Sequence, residues 1–157
     1  MKKGIFTFAI LSIIFALAAC GKSTEEKTEA DQPDQAQTEQ PPADSLQLLE
    51  NEKAGEYLAD SQGRALYYFK KDDAGKSNCS GDCLANWPAF TQEDFAVPES
   101  FDKKDFDTIT REDNGDKQVT YKGFPLYYFA KDQQEGDVNG QGVKGVWFVV
   151  NSATEFE

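Results

Sequence analysis

The stretch Leu66-Tyr67-Tyr68-Phe69-Lys70-Lys71-Asp72 returns 60 residues later as Leu126-Tyr127-Tyr128-Phe129-Ala130-Lys131-Asp132. The same offset carries Gly63 onto Gly123 ahead of the motif and Trp87 onto Trp147 behind it. A chain made of two similar units, one over about 55–90 and one over about 106–150, is expected to fold around a pseudo-twofold axis. Two copies are too few for a solenoid or a propeller.

Apolar residues in these units follow strand spacing. Glu56-Tyr57-Leu58-Ala59 leads through Asp60-Ser61-Gln62-Gly63 into a run over 64–71, which predicts a hairpin. A second hairpin is predicted where 108–111 and 117–121 flank Asp113-Asn114-Gly115-Asp116, because Asn-Gly supplies positive φ. Strands are also expected over 124–130 and 145–150, the latter rich in β-formers. The one helical turn predicted runs through Cys83-Leu84-Ala85-Asn86 after Ser80-Gly81-Asp82. It ends at Trp87, since Pro88 drives the residue before it out of the α region. The fold class expected is therefore all-β, mainly antiparallel, with at most one short helix. Residues 46–157 should form a single compact domain of two tandem units, a small barrel or a sandwich.

Ahead of that domain, Met1-Lys2-Lys3 is basic, residues 5–16 are mostly apolar, and Leu17-Ala18-Ala19-Cys20 closes the segment. The apolar run is short for a membrane span, which needs about 20 residues, and the layout is that of an export signal over 1–19. Leu-Ala-Ala-Cys resembles a bacterial lipobox, which implies cleavage before Cys20 and a thioether-linked diacylglycerol on its sulfur. Such a chain is anchored rather than spanning. Residues 20–45 then read as the lipidated cysteine and an acidic, disordered linker, with no aromatic residue and almost no aliphatic one. A flexible chain of 25 residues spans roughly 25–30 Å on average, enough to hold a domain clear of a lipid surface.

Composition excludes several classes of function. The full chain carries a net charge of −12, and loss of Lys2 and Lys3 makes it about −14. No cluster of basic residues could take up nucleic-acid phosphates or bind anionic lipid electrostatically. Histidine is absent and Met1 is the only methionine. That removes Ser-His-Asp and Cys-His nucleophiles, His-based zinc sites, blue copper and His or Met haem ligation. No cofactor is predicted. With Cys20 on the lipid, Cys79 and Cys83 remain as a pair in an oxidising compartment and read as one disulfide. An exchange-active pair or a thiolate metal site are the alternatives, the first disfavoured by acidic Asp82 beside Cys83, the second by the missing imidazoles.

Side chains alternate along a strand, so Tyr67 and Phe69 share one face while Leu66 and Tyr68 share the other. Both faces carry apolar bulk, which predicts a central strand covered on both sides. Asp72 falls at the strand exit, where a carboxylate accepts from nearby backbone N–H groups. Two readings follow for Tyr67, Phe69, Asp72, Trp87 and their repeats Tyr127, Phe129, Asp132, Trp147. They form an aromatic core with Asp turn-caps, or they present hydroxyls and carboxylates to a ligand. Asp132, Glu135, Asp137 and Asn139 offer oxygens around Gly136 and Gly140. Their spacing does not match an EF-hand loop, so no metal site is predicted and the segment reads as a solvated acidic loop.

The duplicated Tyr-x-Phe-x-x-Asp pattern, the lipobox, and Cys79-x-x-x-Cys83 followed by Trp87-Pro88 resemble the bacterial lipoprotein family known as the secreted repeat of unknown function. The resemblance covers about 55–150. The second unit departs from the pattern: Asn139 and Val143 stand where the cysteines would be, and Phe148 where Pro88 is. The family has no settled activity to lend. The expectation is thus a lipid-anchored protein on the extracytoplasmic face of the cell membrane, non-catalytic, binding an envelope partner or a small molecule. The alternative is an accessory in extracytoplasmic redox or electron transfer, using the Cys79/Cys83 pair or an aromatic-lined cofactor site.

Overall fold

The computed structural model describes residues 44–156. The expected export signal, Cys20 and the linker as far as residue 43 lie outside them. Seven short strands follow one another among the described residues: β1 (Gln47–Asn51), β2 (Gly55–Ala59), β3 (Tyr67–Phe69), β4 (Phe106–Thr110), β5 (Lys117–Tyr121), β6 (Phe124–Pro125) and β7 (Trp147–Val149). Between β3 and β4 lies α1 (Asp82–Asn86). All pairings are antiparallel, β1 with β2, β3 with β7, and β4–β5–β6 in a three-stranded sheet. The fold is all-β, and its sheets do not close into a barrel; they layer as a compact sandwich.

Local sequence explains most of these elements. Tyr121 pairs with Phe124, leaving Lys122-Gly123 as a two-residue turn with φ of +49° and +87°, the two positive values a type I′ hairpin requires. The β4–β5 hairpin forms as predicted, although its connection is longer than an Asn-Gly turn: Arg111 N–H donates to Asp116 O and Gly115 N–H to Arg111 O. α1 begins one residue before the expected Cys83 and stops at Trp87. Gly81 at its N-cap offers no side-chain bond, so Ser80 and Gly81 carbonyls take the Cys83 and Leu84 N–H groups instead.

Two predicted strands pair differently from expectation. The turn 60–63 forms, with Asp60 accepting from the Gln62 and Arg64 N–H groups. Beyond it, β2 and the motif meet only through Ala59 opposite Ala65 and a Leu66-to-Leu58 bond. The regular ladder of β2 goes to β1, which the sequence reading left out. Likewise only Phe124–Pro125 of the predicted 124–130 strand is regular. Farther along, its backbone bonds are divided between Tyr67, Pro88 and Asn86, so no single ladder runs through it.

That division follows from an exchange between the units. Leu66 N–H donates to Leu58 O, Leu58 to Val150 O, and Val150 back to Leu66 O, at 2.7–3.0 Å. The second unit repeats this ring of three bonds with Leu126, Val119 and Phe90, at 2.8–2.9 Å. Val150 belongs to the second unit and closes the ring of the first; Phe90 belongs to the first and closes the ring of the second. Each motif copy is thus completed by the other unit's last segment, and the copies meet at the axis, where Tyr67 and Tyr127 exchange N–H···O bonds of 2.8 and 2.9 Å.

Alternation about this axis makes two cores. Tyr67, Tyr127, Phe129, Trp87 and Trp147 gather in one, with Phe69 packed against it. Leu66, Leu126, Phe90, Val119 and Val150 gather in the other, with Tyr68 and Tyr128 packed against it. The motif strands are covered on both faces, as their double-sided apolar pattern predicts.

Candidate functional site

At the axis the tyrosines and aspartates of the motif pair across units. Tyr67 Oη donates to Asp132 Oδ2 at 2.5 Å, and Tyr127 Oη to Asp72 Oδ2 at 2.7 Å. The second oxygen of each carboxylate caps the loop that follows it, Asp72 Oδ1 accepting from Asn78 N–H at 2.6 Å and Asp132 Oδ1 from Asn139 N–H at 2.9 Å. Both tyrosines are fully buried and both aspartates nearly so. Burial pushes the Asp72 carboxyl up to about 6 against the pull of its N–H and hydroxyl donors, and raises Asp132 in the same direction. The two tyrosines are raised as well, by burial first and then by the carboxylates they face.

Outside this inner set the aromatic residues form a continuous stack. Phe69 lies on Trp147 (ring centroids 4.3 Å apart, planes 13° apart), Trp147 on Trp87 (3.8 Å, 3°), and Trp87 on Phe129 (4.2 Å, 26°). The order alternates units, and the axis passes between the two indoles. Tyr67 and Tyr127 approach the indoles edge-on, at 5.4 and 5.1 Å.

The stack borders a cleft of about 600 Å³, whose walls include Phe69, Trp87, Phe129 and Trp147 with Lys71, Lys131 and Lys144. Asp82 and Cys83 of α1 also line it. A smaller hollow of about 210 Å³ is lined by Arg64, Tyr128 and Asp132 among others. Of the residues singled out by sequence, the cleft collects the four stacked rings and Cys83. The Tyr67 and Tyr127 hydroxyls bond the aspartates behind the stack, in the manner of core and turn-caps. Cys20 lies outside the described residues.

Cys79 and Cys83 are joined by a disulfide with Cα atoms 5.3 Å apart. Cys79 is fully buried, while Cys83 is half-buried at the cleft. Two side chains pin the loop. Ser77 Oγ accepts from Cys79 N–H, and Arg111 Nη2 donates to Cys79 O at 2.6 Å. Arg111 is itself buried and also bonds Ser77, Gln118 and Asp113. Sequence reading missed Arg111 and the lysines of the cleft. One signal was available: the chain has only two arginines, Arg64 and Arg111, among its 16 basic residues. The other, Arg64, donates to Asp60 at 2.8 Å and to Tyr128 at 3.1 Å. A chain that otherwise uses lysine keeps its planar, multi-donor cations for networks.

In the acidic loop, Asp137 accepts from the Gln133 and Gln134 N–H groups, so its carboxylate orders its own loop. Among the described residues no group of three or more Cys, Asp or Glu is gathered to hold a metal ion, and no helix is long and apolar enough to cross a membrane.

The model of a family described as a secreted repeat of unknown function matches the chain twice, at residues 49–91 and 107–151. The two matches coincide with the two structural units. No curated protein and no solved structure matches.

Proposed function

We propose a ligand-binding role for this chain, which belongs to the family of secreted repeats of unknown function: a small molecule held in the cleft on the axis between its units. One observation carries the reading, the cleft of about 600 Å³ bordered by a four-ring aromatic stack to which both units contribute. Its volume lies in the range of small-molecule sites, about 300–1,000 Å³. The sequence lacks the histidine that most nucleophilic and metal-centred catalysis would use, which supports binding without turnover. Against thiol exchange stand the sealed Cys79 and the pinning of its loop by Arg111.

The anchoring part of the reading rests on the lipobox-like Leu17-Ala18-Ala19-Cys20 and on the family's description as secreted. A diacylglyceryl Cys20 holds the domain at the extracytoplasmic face of the membrane. Cys20→Ser moves the protein from the membrane fraction to the medium or periplasm; persistence in the membrane fraction would contradict the anchor. The binding role is tested by titrating the ¹⁵N-labelled protein with a library of small ring compounds. A ligand moves both indole N–H resonances, those of Trp87 and Trp147, whereas a library that moves neither counts against the reading.

A further inference from the structure

The cleft's lining is duplicated about the axis: Phe69 with Phe129, Lys71 with Lys131, Trp87 with Trp147. Both faces of each indole are covered, Trp87 by Trp147 and Phe129, Trp147 by Trp87 and Phe69. What the indoles can offer a ligand is therefore an edge, and the edge of an aromatic ring is the positive part of its quadrupole. The edge of an indole also includes its N–H donor. Among the described residues no acceptor meets the Nε1–H of Trp87 or of Trp147, and neither nitrogen is sealed from solvent.

Charge points the same way. In a chain with 28 acidic residues against 16 basic ones, the cleft brings together Lys71, Lys131 and Lys144 against a single carboxylate, Asp82. All three lysines are exposed, and among the described residues none makes an ion pair. Lys144 stands at the rim in the left-handed region, with φ of +53°, a conformation that costs a non-glycine residue about 1–2 kcal/mol and is concentrated at ligand sites. Unpaired cations, unpaired N–H donors and positive ring edges all complement negative charge.

We propose that the cleft takes a planar aromatic anion, with carboxylate- or sulfonate-type groups held by Lys71 and Lys131 on either side of the axis and by Lys144 at the rim. The inference rests on the binding role above and names the chemistry of its ligand. A cleft of about 600 Å³ accommodates two or three fused rings. The paired lysines favour a ligand with a negative group at each end.

The test uses the ¹⁵N-labelled protein, with naphthalene-2,6-disulfonate as the dianion and 2,6-bis(hydroxymethyl)naphthalene as its neutral counterpart. The dianion is expected to shift both indole N–H resonances and to weaken as salt rises from 20 to 300 mM, where charges are screened over less than about 10 Å. Lys71→Gln and Lys131→Gln each weaken it roughly two- to fivefold, the effect of one exposed ion pair, and change the diol's affinity by less. The diol binding as well as the dianion, or affinity indifferent to salt and to both substitutions, overturns the anion assignment while leaving a ligand site in place. Neither compound nor any other ring compound moving the indole resonances removes the site itself and this inference with it.

Discussion

Tyr67 donates its hydroxyl proton to Asp132, a carboxylate 65 residues away in the other unit, rather than to Asp72 of its own motif. Its repeat mate Tyr127 does the reverse, bonding Asp72. The motif therefore works only as a reciprocal pair. Coupling energies should follow the crossed pairing: a double-mutant cycle of Tyr67→Phe with Asp132→Asn shows an interaction of about 1–3 kcal/mol, and the cycle with Asp72→Asn a much smaller one. Tyr67→Phe alone costs roughly 1.5–3 kcal/mol, as for other hydrogen bonds to charged groups. The buried Tyr57 hydroxyl meets no partner among the described residues, so Tyr57→Phe should cost nothing measurable. Urea unfolding of the wild type and the variants of both cycles decides the matter, and equal coupling in both cycles would remove the crossed pairing.

The raised Asp72 carboxyl makes stability depend on pH in a stated direction. Burial lifts it from 3.8 to about 6 in the fold, so the folded state holds this proton more tightly than the unfolded chain does. Its contribution is present in full below about pH 4 and is lost as pH rises through about 6. Asp132, raised by the same cause, acts in the same sense. The protein should resist urea better at pH 4.5 than at pH 7, by roughly 2–3 kcal/mol between the limits for Asp72. Asp72→Asn flattens this slope. An unchanged slope in that variant would assign it to other carboxylates.

Gly140 abuts the aromatic interior. A Cβ there would stand 2.8 Å from Tyr67 Cε1 and Cζ and 2.9 Å from Trp87 Cη2, all atoms of buried rings, Trp87 within the stack and Tyr67 edge-on to it. Gly140→Ala should cost about 1–3 kcal/mol by overpacking and shift tryptophan emission as Trp87 moves. Gly75→Ala, at a glycine where a Cβ meets nothing but φ is +79°, controls for backbone strain alone and should leave the emission unchanged.

The disulfide closes a loop with a sequence separation of 4. On the loop-entropy account its removal costs about 2 kcal/mol. A sealed Cys79 and a pinned loop predict a staple with a reduction potential below about −300 mV, read by thiol labelling across a dithiothreitol series. A value near −200 mV would restore the redox alternative.

Strand character and two-sided burial of the motif were legible because they rest on local alternation: Leu66 and Tyr68 face one core, Tyr67 and Phe69 the other. The Lys122-Gly123 break and the stop at Trp87-Pro88 were legible through the chemistry of single residues. Partner choice was not. Nothing local tells Tyr67 that its ladder runs to Val149 rather than back to β2, because the pairing is decided by burying both units' aromatic faces at once. The 60-residue offset announced an axis, but which side chains cross it depends on distances no spacing encodes. Nothing local marks the lysines of the cleft, three of which the fold sets around one hollow.

The exchange of last segments also sets the order in which the chain can become a protein. Phe69 finds its strand partner only at Trp147, and the ring of bonds around Leu66 stays open until Val150 arrives. In a chain exported from its N-terminus, the first unit would emerge without the partners that complete its motif strand. Both halves are expected to close together once Val150 is available to complete the ring. Such dependence on distant contacts makes folding slow, and for an exported protein that slowness keeps the chain in the state that export needs.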